Sequence, residues 1–298
     1  MSVEINQTIC LSDGRTLGYA EYGDLNGQVI FFFHGQPGNR LFHPNPVLTR
    51  QAGLRLIIPD RPGYGLSCDD PRRTILDWPR DMQQLANHLG AKRFGVIGFS
   101  AGGPYALACG IAFPERVSRL LLISSAPPAA QRDLRKKMPF LIRLNYWMSH
   151  LAPRLFFLSF RWYWPQARKN PHQFIKMAQA QSSPADQAIL NRQEIYAMLL
   201  DCWQENLRVE STGYARDAQL LLSDWGFELT AVPVEVDLWW GDQDKNTPLV
   251  IQEFFANQLP KSRLIQQPNM GHFGFLQEWD SICALMQTAF LTDRYLSQ

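Results

Sequence analysis

The amino-acid sequence predicts an α/β protein in which a mainly parallel sheet is covered by helices on both faces and interrupted by a helical insertion. Short apolar runs such as Gln28-Val-Ile-Phe-Phe-Phe33 and Phe94-Gly-Val-Ile-Gly-Phe99 stop abruptly at glycine-containing loops, the pattern of strands buried on both faces. Helix-length stretches separate these runs, and that alternation builds parallel sheets. From about residue 127 to 223 the rhythm breaks, strand-like runs vanish and helical periodicity dominates. The expected organisation is a core domain of residues 1–126 and 224–298 with a helical cap of residues 127–223. A long excursion without its own core is the alternative.

A chain of 298 residues is long enough to bury a substantial core, as one large domain or two small ones. Its formal charge of +2 gives no reason to expect nucleic acid as a partner. The five cysteines, Cys10, Cys68, Cys109, Cys202 and Cys283, show no paired spacing, so reduced, buried thiols are expected rather than a zinc site or disulfide framework. This fits a cytoplasmic protein. No basic segment followed by an apolar core opens the chain, and no apolar run of about 18 residues occurs, so neither a secretory signal nor a membrane span is expected. Oligomeric state is not legible.

In chain order, residues 4–10 and 15–22 read as a hairpin around Ser12-Asp13-Gly14. The strand 28–33 ends at His34-Gly35-Gln36-Pro37-Gly38, a loop able to turn a backbone N–H toward a developing oxyanion; a plain Gly/Pro turn is the alternative. A helix is expected around 40–52, then a buried strand Leu54–Asp60 leading into Arg61-Pro62-Gly63-Tyr64-Gly65-Leu66-Ser67. A helix from about Ile75 to Leu89 carries its apolar residues at helical spacing, and a strand Val117–Ser125 follows a helix of mostly small residues over about 101–112. After the cap the sheet resumes with Val232–Trp240 and Gly241-Asp242-Gln243-Asp244. A helix over about 248–258, a strand Arg263–Gln267, the loop Pro268–Phe273 and a final amphipathic helix close the chain.

The stretch that organises the rest is Gly98-Phe99-Ser100-Ala101-Gly102, set directly after a buried strand and before a helix of small residues. Such a strand-to-helix turn raises the serine hydroxyl at its tip, and the glycines fit where a Cβ would collide with neighbouring elements. Ser100 is the candidate nucleophile. The candidate base is His272 and the candidate acid Asp244, each just past a predicted strand, where catalytic groups of open α/β sheets gather. Asp242 competes for the acid's role. The amides of Gln36 and Ala101 are the candidate oxyanion donors. His34, His43, His88, His150 and His172 lack the spacing of metal ligands and are expected to be structural or solvated, and Asp60 to lock its loop.

By these residues the sequence resembles the α/β-hydrolase superfamily. The likeness rests on His34-Gly35-Gln36-Pro37-Gly38, Asp60–Ser67, Gly98–Gly102, Gly241-Asp242-Gln243-Asp244 and Gly271-His272, and it covers roughly residues 10–126 and 224–297. It implies an eight-stranded sheet, a helical lid, and no metal or organic cofactor; in the family's Gly-x-x-Asp pattern the fourth residue is the acid, here Asp244. Serine at 100 departs from the aspartate of haloalkane dehalogenases and epoxide hydrolases. The elbow and the Asp60 loop also depart from those of proline iminopeptidases. The expected activity is hydrolysis of a small or medium carboxylic ester through an acyl-enzyme. Carbon–carbon bond hydrolysis, a haloperoxidase-like esterase and a ligand-binding protein with little turnover are the alternatives. Between Pro128 and Ala180, basic residues such as Arg143, Arg154 and Arg161 interleave with aromatics against the single acid Asp133. A packed lid with a solvated cationic face accounts for this, and weak contact with lipid interfaces is the alternative.

Overall fold

Strands whose side chains are apolar on both sides must be covered on both sides, and the core is arranged accordingly. The computed structural model describes residues 4–138 and 140–296. Its strands are β1 (Glu4–Cys10), β2 (Thr16–Gly23), β3 (Gln28–Phe33), β4 (Leu54–Pro59), β5 (Phe94–Phe99), β6 (Val117–Ile123), β7 (Val236–Gly241) and β8 (Ser262–Gln267). They form one sheet in the order β1-β2-β4-β3-β5-β6-β7-β8; β1 and β2 run antiparallel to their neighbours and the remaining pairs are parallel. On β3, Phe31 and Phe33 join one apolar cluster with Val96 and Trp78, whereas Ile30 and Phe32 join another with Ile97 and Trp279. Side chains alternate across a strand, so each of the strands β2 to β7 feeds both clusters.

The helices complete the layers. Before the insertion come α1 (Pro46–Gln51), α2 (Trp78–His88) and α3 (Gly103–Ala112). The insertion carries α4 (Arg132–Lys136), α5 (Phe140–Leu151), α6 (Pro153–Lys169), α7 (Pro171–Gln181), α8 (Pro184–Leu190), α9 (Gln193–Arg208) and α10 (Ser211–Leu222); α11 (Leu249–Gln258) and α12 (Trp279–Leu296) follow. Met82 and Leu85 of α2, Leu107 of α3 and Phe255 of α11 fill one face of the sheet, and Trp279, Ile282 and Met286 of α12 fill the other. Among the described residues, no strand lies between Ile123 and Val236.

Three expectations are corrected. The helix expected at 40–52 is only α1, starting at Pro46 with Asn45 capping it through its side chain, because Arg40 and Phe42 are buried in other contacts. The strand expected from Val232 begins at Val236; Leu229–Ala231 form a 3-10 turn and Pro233 has no N–H to give a ladder. Cys109, Cys202 and Cys283 are buried free thiols, but Cys10 and Cys68 are exposed.

The sheet order fixes where a site can form. β4 lies on one side of β3 and β5 on the other, so the chain reverses its direction of progress there, and the loops leaving β3 and β5 diverge to leave a crevice. Those loops carry His34–Gly38 and Ser100.

Candidate active site

The turn at Ser100 is held by contacts that leave no room for side chains around it. Ser100 adopts φ 50°, a left-handed conformation costly for a residue with a Cβ and sustained only where the surroundings enforce it. A Cβ on Gly98 would lie 2.7 Å from Ala106 Cβ and 2.8 Å from Gly103 Cα, and one on Gly102 would run into the Phe33 carbonyl. The small residues of α3 let it lie on the sheet at this distance, and the chain turns from strand to helix within the 3-10 segment Ser100–Gly102.

Beside it, the His34–Gly38 loop is clamped from below. The fully buried Arg61 donates to the carbonyls of His34 (2.5 Å) and Gly35 (3.1 Å) and pairs with Asp217 of α10 (2.9 Å). Asp217 also accepts from Arg73, Tyr64 and Tyr105. Burial pushes its carboxyl up, but the guanidiniums of Arg61 and Arg73 and the tyrosine hydroxyls outweigh this and hold it at about 2. Gln36 is pinned through its side chain, which donates to Tyr64 Oη and the Tyr214 carbonyl. Its backbone N–H has no acceptor among the described residues, and the N–H of Ala101, at the start of a helical turn, has no carbonyl one turn behind it.

His272 stands on the loop after β8 and Asp244 on the loop after β7. His272 Nδ1 and Asp244 Oδ2 are 2.9 Å apart. The acid is fixed in turn by the N–H groups of Asn246 and Thr247 and by Thr247 Oγ1 at 2.6 Å. Asp242 is exposed, and among the described residues it has no hydrogen bond to the imidazole. Burial pulls the imidazole pKa of His272 down, but the Asp244 charge and hydrogen bond, with the field of Asp186, raise it above 6.5 overall. Burial likewise works against the Asp244 carboxylate, and His272 and Thr247 outweigh it, so its pKa is lowered.

The imidazole packs on Phe99, the residue before Ser100, with ring centroids 5.1 Å apart. Ser100 itself makes no side-chain hydrogen bond among the described residues, so Asp244 and His272 are joined directly and Ser100 is brought to their neighbourhood. A serine hydroxyl rotates among staggered positions, and such bonds tighten when substrate binds.

One residue that the sequence did not single out holds this arrangement. Asp186, buried on α8, accepts the N–H of His272 (3.0 Å) and of Phe273 (2.7 Å), as well as Ser183 Oγ. A Cβ on Gly271 would strike its carboxylate. The signal in the sequence was Ser183-Pro-Ala-Asp186, which reads only as a helix start.

Two of the other histidines sit in contacts of their own. His34 is fully buried and burial, with Arg61 nearby, drives its pKa well below 6.5; His172 contacts Tyr196 Oη. No cluster able to hold a metal occurs among the described residues. Asp60 accepts the N–H groups of Arg40 and Leu66, which ties down its loop.

A cavity of about 320 Å³ opens above the turn, with Gln36, Ser100 and Ala101 at its base and Ile142, Phe156 and Phe160 among its walls. Its lining contains no charged side chain, so it favours an uncharged apolar group next to the serine. No described helix is long and apolar enough to cross a membrane.

Comparison with known proteins agrees with this architecture. The chain is 33% identical over 113 residues to the uncharacterized hydrolase YcgS of Bacillus subtilis, covering 38% of this chain and 39% of that one; it thus spans about two fifths of that relative's length. It is 27% identical over 254 residues to the pimeloyl-[acyl-carrier protein] methyl ester esterase of Nitrosomonas europaea, covering 84% and 91% of the two chains. A thermophilic esterase from Thermogutta terrifontis superposes with a TM-score of 0.67 at 19% identity, over 96% of this chain and 98% of the other. The family model for the alpha/beta hydrolase fold matches residues 28–278, which takes in the loops after β3, β5, β7 and β8. With that match over most of its length, the chain belongs to the α/β-hydrolase fold family.

Proposed function

We propose that the protein is a serine hydrolase of uncharged carboxylic esters, with residues 1–126 and 224–298 as its core domain and 127–223 as a cap over the cavity. The observation that carries this reading is the buried Asp244–His272 pair packed on Phe99 beside the strained Ser100 turn. With Nδ1–H donated to Asp244, Nε2 keeps its lone pair and takes the Ser100 proton as Oγ attacks the ester carbonyl. The tetrahedral oxygen then carries a negative charge that the amides of Gln36 and Ala101 stabilise. Collapse breaks the C–O bond, His272 returns the proton to the leaving alcohol, and water activated by the same imidazole resolves the acyl-enzyme. Asp244 orients the ring and stabilises the imidazolium. The similarity to an esterase of an acyl-carrier methyl ester supports the ester class, and the uncharged cavity lining supports a neutral acyl group. We place the protein in the cytoplasm, its reduced cysteines being at home there.

Turnover of p-nitrophenyl esters of increasing chain length tests the reading. Ser100→Ala, His272→Ala and Asp244→Asn are each expected to fold normally and lose on the order of 10³-fold or more in kcat, with little further loss on combination because the three act as a unit. Binding of esters without turnover by the unaltered protein would make it a ligand-binding member of the family instead.

A further inference from the structure

Helices α5 and α6 are apolar on the side that faces away from the protein as well as on the side that faces in. Ile142 of α5 and Phe156 and Phe160 of α6 line the cavity. On the outside of α5, Leu144, Trp147 and Leu151 recur at helical spacing, and on α6 so do Leu155, Leu158 and Trp162; all six are exposed, Leu151 by 77% and Trp162 by 70%. A surface helix of a soluble domain normally turns charge outward, and large apolar side chains massed on one hairpin mark a contact surface. Only Ala152 separates the two helices.

The charges beside the stripe say what covers it. Arg143, Arg154 and Arg161 are exposed, and none has an acidic or hydrogen-bonding partner among the described residues. From Phe140 to Lys169 the sequence contains no aspartate or glutamate. A second copy of this chain seated on the same face would set arginine against arginine, whereas an anionic lipid surface offers phosphates to the arginines and acyl chains to the leucines and tryptophans.

We infer that the outer face of α5 and α6 docks on anionic lipid surfaces, lying in the interface. The docked face is the outside of the same helices whose inside walls the cavity. A lipid-borne ester would therefore be held against the helices that wall the cavity. That consequence rests on the hydrolase reading, whereas the docking does not, and the test reads vesicle binding separately from turnover.

The full-length protein is to be co-sedimented with vesicles of equimolar phosphatidylglycerol and phosphatidylcholine, and with phosphatidylcholine alone, at low and high salt. Binding to the anionic vesicles is expected to exceed that to the neutral ones on the order of 100-fold at low salt, for three arginines near the surface, and to fall as salt screens them. Replacing the arginines together by glutamine should remove the preference between lipids. The combined variant Leu151→Gln, Leu155→Gln, Trp162→Gln should lose about tenfold or more in partition, while its turnover of a water-soluble short-chain ester stays unchanged. Absence of binding at low salt, or equal salt-independent binding to both vesicles, overturns the inference. So does a dimer that the leucine and tryptophan changes dissociate while vesicle binding is undetectable.

Discussion

The two ends of the helical insertion are attached to the core by different physics. α8, α9 and α10 are tied down by buried polar groups: Asp186 to the His272 loop, Glu205 to Arg40 at 2.7 Å, Asn206 to Asn39 at 2.9 Å, and Asp217 to Arg61 and Arg73. α5 and α6 have an apolar inner face over the cavity, and their outer face carries leucine, tryptophan and arginines without a partner among the described residues. Buried polar contacts are directional and fail sharply when one partner is lost. Apolar packing is non-directional and tolerates change on the solvent side. The insertion thus has one half that holds the site in register and another that is free to adapt to what lies against it.

The sharpest way to break this division is Asp217→Ala. It leaves two guanidiniums and two tyrosine hydroxyls buried without their common acceptor, so a loss of about 3–5 kcal/mol is expected, measured by chemical denaturation. Because the carboxyl is held at about 2 against its ordinary 3.8, its contribution is present above the ordinary value and is lost as pH falls through the folded value. Acid titration of stability should show that window in the unaltered protein and not in the variant.

Asp186→Ala should act on the site more than on the fold. Two loop N–H groups lose their acceptor and His272 loses a nearby negative charge, so kcat is expected to drop about 10- to 100-fold with the protein still folded. The pH profile separates positioning from general damage. His272 is a base only when neutral, and its pKa lies above 6.5, so activity should rise with one proton along a limb centred above that value. Removing Asp186 should move the limb toward lower pH. An unchanged limb would reduce Asp186 to a structural cap.

At the small end, Leu155→Gln and Leu158→Gln should each change stability by no more than about 0.5 kcal/mol, since both side chains are exposed. A loss of several times that in thermal denaturation would show that the outer face of α6 packs on something within the chain.

What was legible in the sequence follows the same line. The Ser100 turn could be read because strand, glycines and helix are adjacent in the chain, and Asp244 could be preferred to Asp242 from a four-residue pattern. Both are local. Asp186 reaches His272 across 86 residues, and Asp217 reaches Arg61 across 156; neither leaves a trace in spacing or periodicity. An aspartate at the third position of a helix, after a capping serine, reads as part of the cap whether or not its carboxylate is used elsewhere. The expected start of α1 failed for a related reason, because Arg40 and Phe42 are taken up by tertiary contacts. The insertion's helices were recognisable from their period, but which of their two apolar faces turns inward was not, because α6 is apolar on both.

Covalent labelling tests, without knowledge of the substrate, whether Ser100 is a nucleophile activated by His272. The protein is to be treated with a fluorophosphonate and its intact mass and modified peptide determined, alongside Ser100→Ala and His272→Ala. One adduct on the peptide containing Ser100 is predicted, with none in Ser100→Ala and labelling slowed by about 10³-fold or more in His272→Ala. An adduct that persists in Ser100→Ala, or no adduct on the unaltered protein, would show that Ser100 is not an activated nucleophile.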